Sequence, residues 1–284
     1  MKNAYRITAF VIGGSIFCAL VGWQYLAYRA DARLLTIAFL DVGQGDAIYV
    51  RAPGGGDMLI DGGPDRGMLR SLAEVMPFFD RTVNVILVSN PDKDHIAGFI
   101  PLLERYGIGA VVEPGTIGAS GVYEALKQKG DTHATRIVAR RGTVIDLGGG
   151  AHFEVLFPDR DVSGVTTNTG SIVGRLIYGD TSVMFPGDAP DEIEQYVLVL
   201  DGEKVNSDIL KAGHHGSRTS SVPEFVAAVS PQTAVISSGS NNSYGHPHKE
   251  TLDTFQEADI EVLNTADQGT IIFKSDGKTI WRVR

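Results

Sequence analysis

Cysteine is nearly absent from this chain: Cys18 is the only one in 284 residues. A disulfide framework within the chain is excluded, and so is a zinc site built on thiolates. Positive charge is also short. Lys and Arg number 25 against 34 Asp and Glu, a formal net charge of -9. That balance does not indicate a broadly basic nucleic-acid-binding face, although a local basic patch, or a metal screening phosphate from acidic groups, remains compatible with it. No internal repeat and no low-complexity tract marks a second domain boundary. What is present is globular: 43% apolar residues, 21% charged residues and 34 glycines, the last pointing to many turns and close backbone approaches.

There is one long uncharged apolar run. Arg6 and Arg29 bracket 22 residues, "ITAFVIGGSIFCALVGWQYLAY", long enough as a helix to cross the hydrocarbon of a bilayer. Trp23, Tyr25 and Tyr28 fall near its end, where an interfacial aromatic belt belongs. The expectation is an uncleaved membrane anchor and short linker over residues 1–34, placing the protein as a single-pass protein of the cell membrane. A cleaved signal peptide and a buried core helix are the rivals. Lys2 and Arg6 before the span, against Arg29 and Arg33 partly offset by Asp31 after it, put the N-terminus inside and the main domain outside the cytoplasm.

The remainder reads as one sheet-rich α/β domain over residues 35–284. "LLTIAFLDV", "DAIYVRA" and "DMLIDGG" are strands, the latter two separated by "PGGG". "VNVILVSN" is a continuous apolar run of the kind that forms an interior strand. "SIVGRLIYG" with "TSVMFPGD", and "GTIIFKS" with "KTIWRVR", read as hairpins. Helical patterns such as "MLRSLAEVMPFF", "DEIEQYVLVL" and "KETLDTFQEA" alternate with these strands, as two layers of sheet with helices outside would require.

Polar residues gather at the strand ends. "DVGQGD" (41–46), "NPDKDH" (90–95), "GDAPDE" (187–192), "AGHHGS" (212–217) and "NNSYGHPH" (241–248) each follow a strand. Asp92, Asp94 and His95 lie within four residues behind the run ending at Val88. Crowded carboxylates repel and a buried imidazole needs a partner, and a divalent cation relieves both. Carboxylate with imidazole suits zinc, manganese or iron. Blander readings stand beside this one: Asp41 and Asp61 as turn caps, Gly187-Asp188 as a tight turn. His214 and His215 are adjacent, and in extended geometry they would not both point inward.

"FLDVGQGDAIYV", "MLIDGG", "SNPDKDHIAG", "SIVGRLIYG", "FPGD", "LKAGHHGS" and "NSYGHPH" together resemble the metallo-β-lactamase-fold domain of the DNA-uptake competence protein ComEC and its stand-alone relatives. The resemblance runs from about Leu35 to the C-terminus and implies an αββα sandwich with a metal site at the edge of its two sheets. The multi-span channel of the competence protein has no counterpart here. In the fold's usual "HxHxDH" motif the leading histidines help hold a first metal, and this sequence has Asn90 and Asp92 in those places. Asp94 and His95 match the second-metal pair, Asp188 the bridging carboxylate, and His214 or His215, the latter favoured, the last histidine. The third histidine of the first site is missing, and only Asn168 is offered there. The resemblance therefore implies zinc or manganese, one or two ions, with a weakened first site and an intact second one.

The activity implied is metal-dependent hydrolysis, foremost of phosphodiesters, as a nuclease acting on DNA in a competence-related role. The alternatives are a small ester or lactone hydrolase and an inactive membrane-anchored binding domain. Asp46 would ligate or orient water. Lys93 would serve phosphate or offset the acidic ligands, and His246 would donate to phosphate or brace other ligands.

Overall fold

The computed structural model describes residues 33–130 and 134–284, together with residues 18, 19 and 22. Among the described residues, fifteen strands form two mixed sheets. The first has the order β15-β14-β1-β2-β3-β4-β5-β6 and the second β13-β12-β11-β10-β9-β8-β7. In chain order, β1 is Leu35–Phe39, β2 Ile48–Arg51, β3 Asp57–Ile60, β4 Thr82–Leu87, β5 Gly107–Glu113 and β6 Thr135–Val138. The second sheet begins with β7 (Val144–Gly148) and β8 (Ala151–Phe157), then β9 (Val173–Tyr178), β10 (Thr181–Phe185), β11 (Ile209–Lys211), β12 (Thr233–Ile236) and β13 (Glu261–Asn264). The chain then returns to the first sheet with β14 (Ile271–Ser275) and β15 (Ile280–Arg282).

The sheets face each other across a core that includes Ile37, Phe39, Ile48, Ile60, Phe153, Leu176, Phe185 and Phe273. Each sheet is covered on its outer face. Helices Met68–Val75, Phe99–Leu103 and Gly121–Gly130 pack Met68, Leu72, Phe99, Leu102 and Leu126 against the first sheet. Helices Asp191–Asp201, Pro223–Val229 and Lys249–Glu257 pack Val197, Phe225, Val226 and Phe255 against the second. These are two mixed sheets flanked by helices, the layers that the order of elements calls for and the αββα arrangement that the resemblance implies. The strands β3, β10 and β12 are buried along their whole length because both of their faces are covered.

The parallel segments decide where function sits. β3, β4, β5 and β6 run parallel, as do β10, β11, β12 and β13. Their carboxyl ends therefore open on one edge of each sheet, the usual place for a site on parallel strands. Asp61 follows β3, Ser89 to His95 follow β4, Asp188 follows β10, the two histidines follow β11, and Ser237 to His246 follow β12.

The membrane anchor needs correction. Among the described residues no helix is long and apolar enough to cross a membrane. Of the apolar run over residues 7–28, all but 18, 19 and 22 lie outside the described residues. The single-pass topology, the cell-membrane localisation and the extracytoplasmic placement of the domain all depend on that helix and fall with it.

Candidate metal centre

The loop "DVGQGD" is pressed onto the helix Lys93–Ile96. Asp46 N donates to Asp94 O at 3.3 Å. A Cβ on Gly45 would sit 2.3 Å from that same carbonyl, and Gly45 has φ +136, so only glycine fits this approach. The contact carries Asp46 under His95. After β10, Gly187 takes φ +59 and presents Asp188 from the other sheet. After β11, His214 and His215 both take left-handed backbone, φ 48 and 58. That conformation is uncommon for residues with a Cβ and tends to be retained at functional sites. The backbone here is not extended, so the alternation that would turn the two side chains to opposite sides does not apply. In this tight turn His214 Nε2 and His215 Nε2 lie 3.7 and 3.8 Å from Asp188 Oδ2.

Asp46, His95, Asp188 and His215 are all buried, and each places a ligand-type atom within 4.8 Å of the others. Hydrogen bonds fix which ring nitrogen of each histidine is free. His95 Nδ1 donates to Asp61 Oδ2 at 2.8 Å, so its Nε2, 3.0 Å from Asp188 Oδ2, faces the cluster. His215 Nδ1 donates to the Ser237 carbonyl at 3.1 Å, which leaves Nε2 as the bare nitrogen. That nitrogen is 3.3 Å from Asp94 Oδ2. The Nε2 face thus carries His95, His215, Asp188 and Asp94, with Asp94 the member open to solvent at 32% side-chain exposure.

Asp61, for which a turn cap is the bland reading, braces the ligand-bearing loop. Besides His95, it accepts from Ser89 N at 2.8 Å and Ser89 Oγ at 2.5 Å. A carboxylate behind the distal nitrogen of an imidazole orients the ring and raises its basicity, the usual support for a metal-ligating histidine. Asp41 does cap its turn, accepting from Gly43 N at 3.2 Å.

The Nδ1 side of the rings is different. Asp46 lies there, 3.4 Å from His215 Nδ1 and 3.8 Å from His95 Nδ1. Lys211, buried at the end of β11, pairs with Asp46 Oδ2 and lies 4.0 Å from Asp188 Oδ1. Burial alone would push the Lys211 ammonium down, but Asp46 and Asp188 outweigh it and hold the group above its ordinary value. Burial likewise opposes the charge on Asp46, and Lys211 followed by His215 keeps that carboxyl well below the usual range.

Without a metal, protons balance the cluster. Burial disfavours a charged His215, yet Asp46 and Asp188 raise it to about 9. His95 is held well above its ordinary value against burial by Asp188 and Asp61. Even so, Asp46 Oδ1, Asp188 Oδ1 and His215 Nε2 are buried with no hydrogen-bond partner. Buried polar atoms are normally paired. The unpaired His215 Nε2 lies beside Asp94 Oδ2 and Asp188 Oδ2, and imidazole nitrogen with carboxylate oxygens is the donor chemistry of a divalent cation, so the residues on this face fit the group.

The expected weak first-site ligands make a different arrangement. Asn90 Nδ2 donates to Asn168 Oδ1 at 2.7 Å, and Asn90 Oδ1 accepts from Asp92 N at 2.9 Å. Asp92 accepts from Thr167 Oγ1 at 3.0 Å. Lys93 is exposed and takes no part in the ion pairs of the cluster. His246 stands at the rim, its ring 5.5 Å from His214 and 6.2 Å from His215. Burial and then the neighbouring histidines lower it to about 4, so it is neutral at physiological pH. Gln44 Oε1 accepts from Gly239 N at 3.2 Å, which aims the Gln44 amide N–H at His246 Nδ1, 3.4 Å away, and leaves the proton on His246 Nε2.

Lys211 and Gln44 escaped the sequence reading. Lys211 ends a three-residue strand otherwise made of Ile and Leu, and a lysine inside a buried run is itself a signal that a carboxylate faces it.

The model of the metallo-beta-lactamase superfamily matches residues 40–240. ComE operon protein 3 of Bacillus subtilis is 30% identical over 94% of this chain and 36% of its own length. Recombination protein 2 of Haemophilus influenzae is 30% identical over 82% of this chain and 28% of its own length. Competence protein ComA of Neisseria gonorrhoeae is 28% identical over 88% of this chain and 34% of its own. The chain thus spans about a third of the length of these curated relatives. Among solved structures, CmlA, a diiron β-hydroxylase from Streptomyces venezuelae, superposes with TM-score 0.54 at 14% identity, over 88% of this chain and 54% of that one, a likeness of fold alone. The partner expectations are corrected at the same time. Membrane contact rested on the N-terminal helix, and no feature among the described residues identifies a DNA or protein partner.

Proposed function

Because the chain belongs to the metallo-β-lactamase superfamily and is a metal-dependent hydrolase with a buried Asp–His centre, we propose that it hydrolyses phosphodiesters, DNA among them, in a competence-related role. The observation that carries the reading is the Nε2 face: two imidazole nitrogens fixed outward by their Nδ1 partners, beside Asp188 and Asp94. The names of the relatives, a competence protein and a recombination protein, support nucleic acid as the substrate class.

His95, His215, Asp188 and Asp94 would hold zinc or manganese. A divalent cation at such a centre acidifies water and polarises a phosphoryl oxygen. Asp61 and the Ser237 carbonyl keep the two imidazoles turned with Nε2 outward. Asp188 spans both imidazoles and fixes their separation. His246, neutral and protonated on Nε2, offers a hydrogen bond at the rim to a phosphoryl oxygen that gains charge. Being uncharged, it does so without repelling the metal.

The full chain, loaded with manganese or zinc, is to be assayed side by side on single-stranded DNA, a bis-aryl phosphodiester and a lactone. Turnover of the two phosphodiesters, lost on chelation and restored by metal, is the expected result. Turnover of the lactone alone would replace this reading with that of a small-ester hydrolase.

A further inference from the structure

Lys211 has no role in the chemistry above, and its position is costly. Its side chain is 2% exposed, and a charge at that depth carries a penalty of several kcal/mol unless closely compensated. Exposure that low also keeps it from reaching a substrate. What compensates it is specific. Its ammonium donates to Asp46, lies 3.4 Å from the Gly187 carbonyl and approaches Asp188 Oδ1 at 4.0 Å. Asp188 is therefore shared: Oδ2 meets His95 Nε2 on the outer face, and Oδ1 turns toward the lysine. Asp46, Asp61 and Asp188 are three buried carboxylates in one cluster, a charge excess that one divalent ion on the outer face does not by itself cancel.

The donors that a further ion would use on the other flank are already committed, Asn90 to Asn168 and Asp92 to Thr167. We propose that the Lys211 ammonium is a built-in cation that takes the charge-balancing place of a second metal ion between Asp46 and Asp188, so that the centre holds a single exchangeable divalent ion on its Nε2 face. The proposal rests on the metal-centre reading of the preceding section and adds to it the identity of the second cation. Asp46 then serves as the counter-ion of Lys211 and not as a metal ligand. The lysine becomes a positioning residue: its charge, 4.0 Å away, draws Asp188 Oδ1 inward so that Oδ2 stays on the outer face.

The test counts ions without reference to turnover. The full chain, Lys211→Met and Lys211→Arg are saturated with Mn²⁺, freed of weakly bound ion, and measured for metal per chain and by electron paramagnetic resonance. One ion per chain with an uncoupled six-line signal is expected for the parent and for Lys211→Arg. Lys211→Met, which keeps the volume but removes the charge, is expected to take up a second ion, with the signal attenuated by spin coupling between neighbouring ions. Two ions in the parent, or one ion still in Lys211→Met, overturns the proposal. If Lys211→Met does not fold, Lys211→Gln carries the same expectation, and the parent count can overturn the proposal on its own. One ion in the parent without phosphodiester turnover would overturn the proposed substrate class and leave the role of Lys211 standing. No bound ion in the parent would overturn both.

Discussion

Asn90 and His95 stand on the same loop behind β4 and have opposite surroundings. Both are fully buried. Asn90 spends its amide on Asn168 and on the backbone of Asp92, and Asp92 in turn is held by Thr167. That flank is closed upon itself by protein hydrogen bonds. His95 is braced from behind by Asp61 and faces Asp188, next to His215, whose Nε2 has no partner. The two flanks derive from one motif, and what separates them is whether the buried polar atoms are already paired. Asn90 leaves no orphan there, because amides can satisfy one another, whereas buried imidazole and carboxylate atoms on the other flank have no hydrogen-bond partner. Paired polar atoms mark the Asn90 flank and unpaired ones the His95 flank, a contrast that the motif alone does not carry.

The largest test of this contrast is Asp188, which belongs to the retained flank alone. Asp188→Ala should abolish metal-dependent turnover, a loss exceeding the roughly 10–100-fold typical of losing an outer-shell partner. Asp188→Asn, nearly equal in volume, should do the same. Metal content and rate need to be read on the same preparations, since lost affinity and lost catalysis look alike at fixed metal concentration. Full activity in Asp188→Ala would break the assignment.

One step back, Asp61→Asn removes the charge behind His95 and keeps the shape. A weakening of metal affinity by roughly 10–100-fold is expected, measured by competition with a chromogenic chelator. Unchanged affinity would show that Asp61 only braces the backbone of Ser89.

The turn that carries His214 and His215 is tied to the helix after Asp188 by Glu194. Its buried carboxyl accepts from Ser221 N at 2.8 Å and Val222 N at 3.0 Å, while Ser221 Oγ accepts from Gly213 N at 3.0 Å. Burial raises Glu194 to about 7 from an ordinary 4.5. The folded state therefore binds this proton more tightly than the unfolded chain does. The resulting stabilisation is full below pH 4.5, is lost as pH rises through about 7, and is flat above that. Denaturant unfolding across this window should show a stability change on the order of 1–3 kcal/mol that Glu194→Gln lacks. An identical slope in both proteins would contradict the raised value.

The smallest effect belongs to the closed flank. Asp92→Ala breaks a single hydrogen bond to Thr167 and should reduce turnover by less than about tenfold, in keeping with a net bond worth of ~1 kcal/mol. A loss equal to that of Asp188→Ala would mean that both flanks hold metal.

Much of the fold was legible because periodicity and turn chemistry agree along the chain. The continuous run before Ser89 is the interior strand β4, and the run before Gly187 is β10, paired with β9 as a hairpin. Strand β13 and the short helix Thr265–Gln268 went unread, since "EVLNTADQ" is too short and too polar to show a period. Within the site, Asp94, His95, Asp188 and His215 were legible as residue types at strand ends. The inward turn of both histidines was not, because it depends on a left-handed backbone that His-His does not announce. Asp61 and Lys211 stayed hidden for another reason: their meaning lies in partners 34 residues away at His95 and across the two sheets at Asp46, which only the sandwich brings together.

The most direct measurement is anomalous diffraction at the manganese edge from crystals of the full chain grown with Mn²⁺. One peak is expected, within bonding distance of His95 Nε2, His215 Nε2, Asp188 and Asp94, and none beside Lys211. A peak among Asn90, Asp92 and Asn168, or no peak on the Nε2 face, would contradict the central claim.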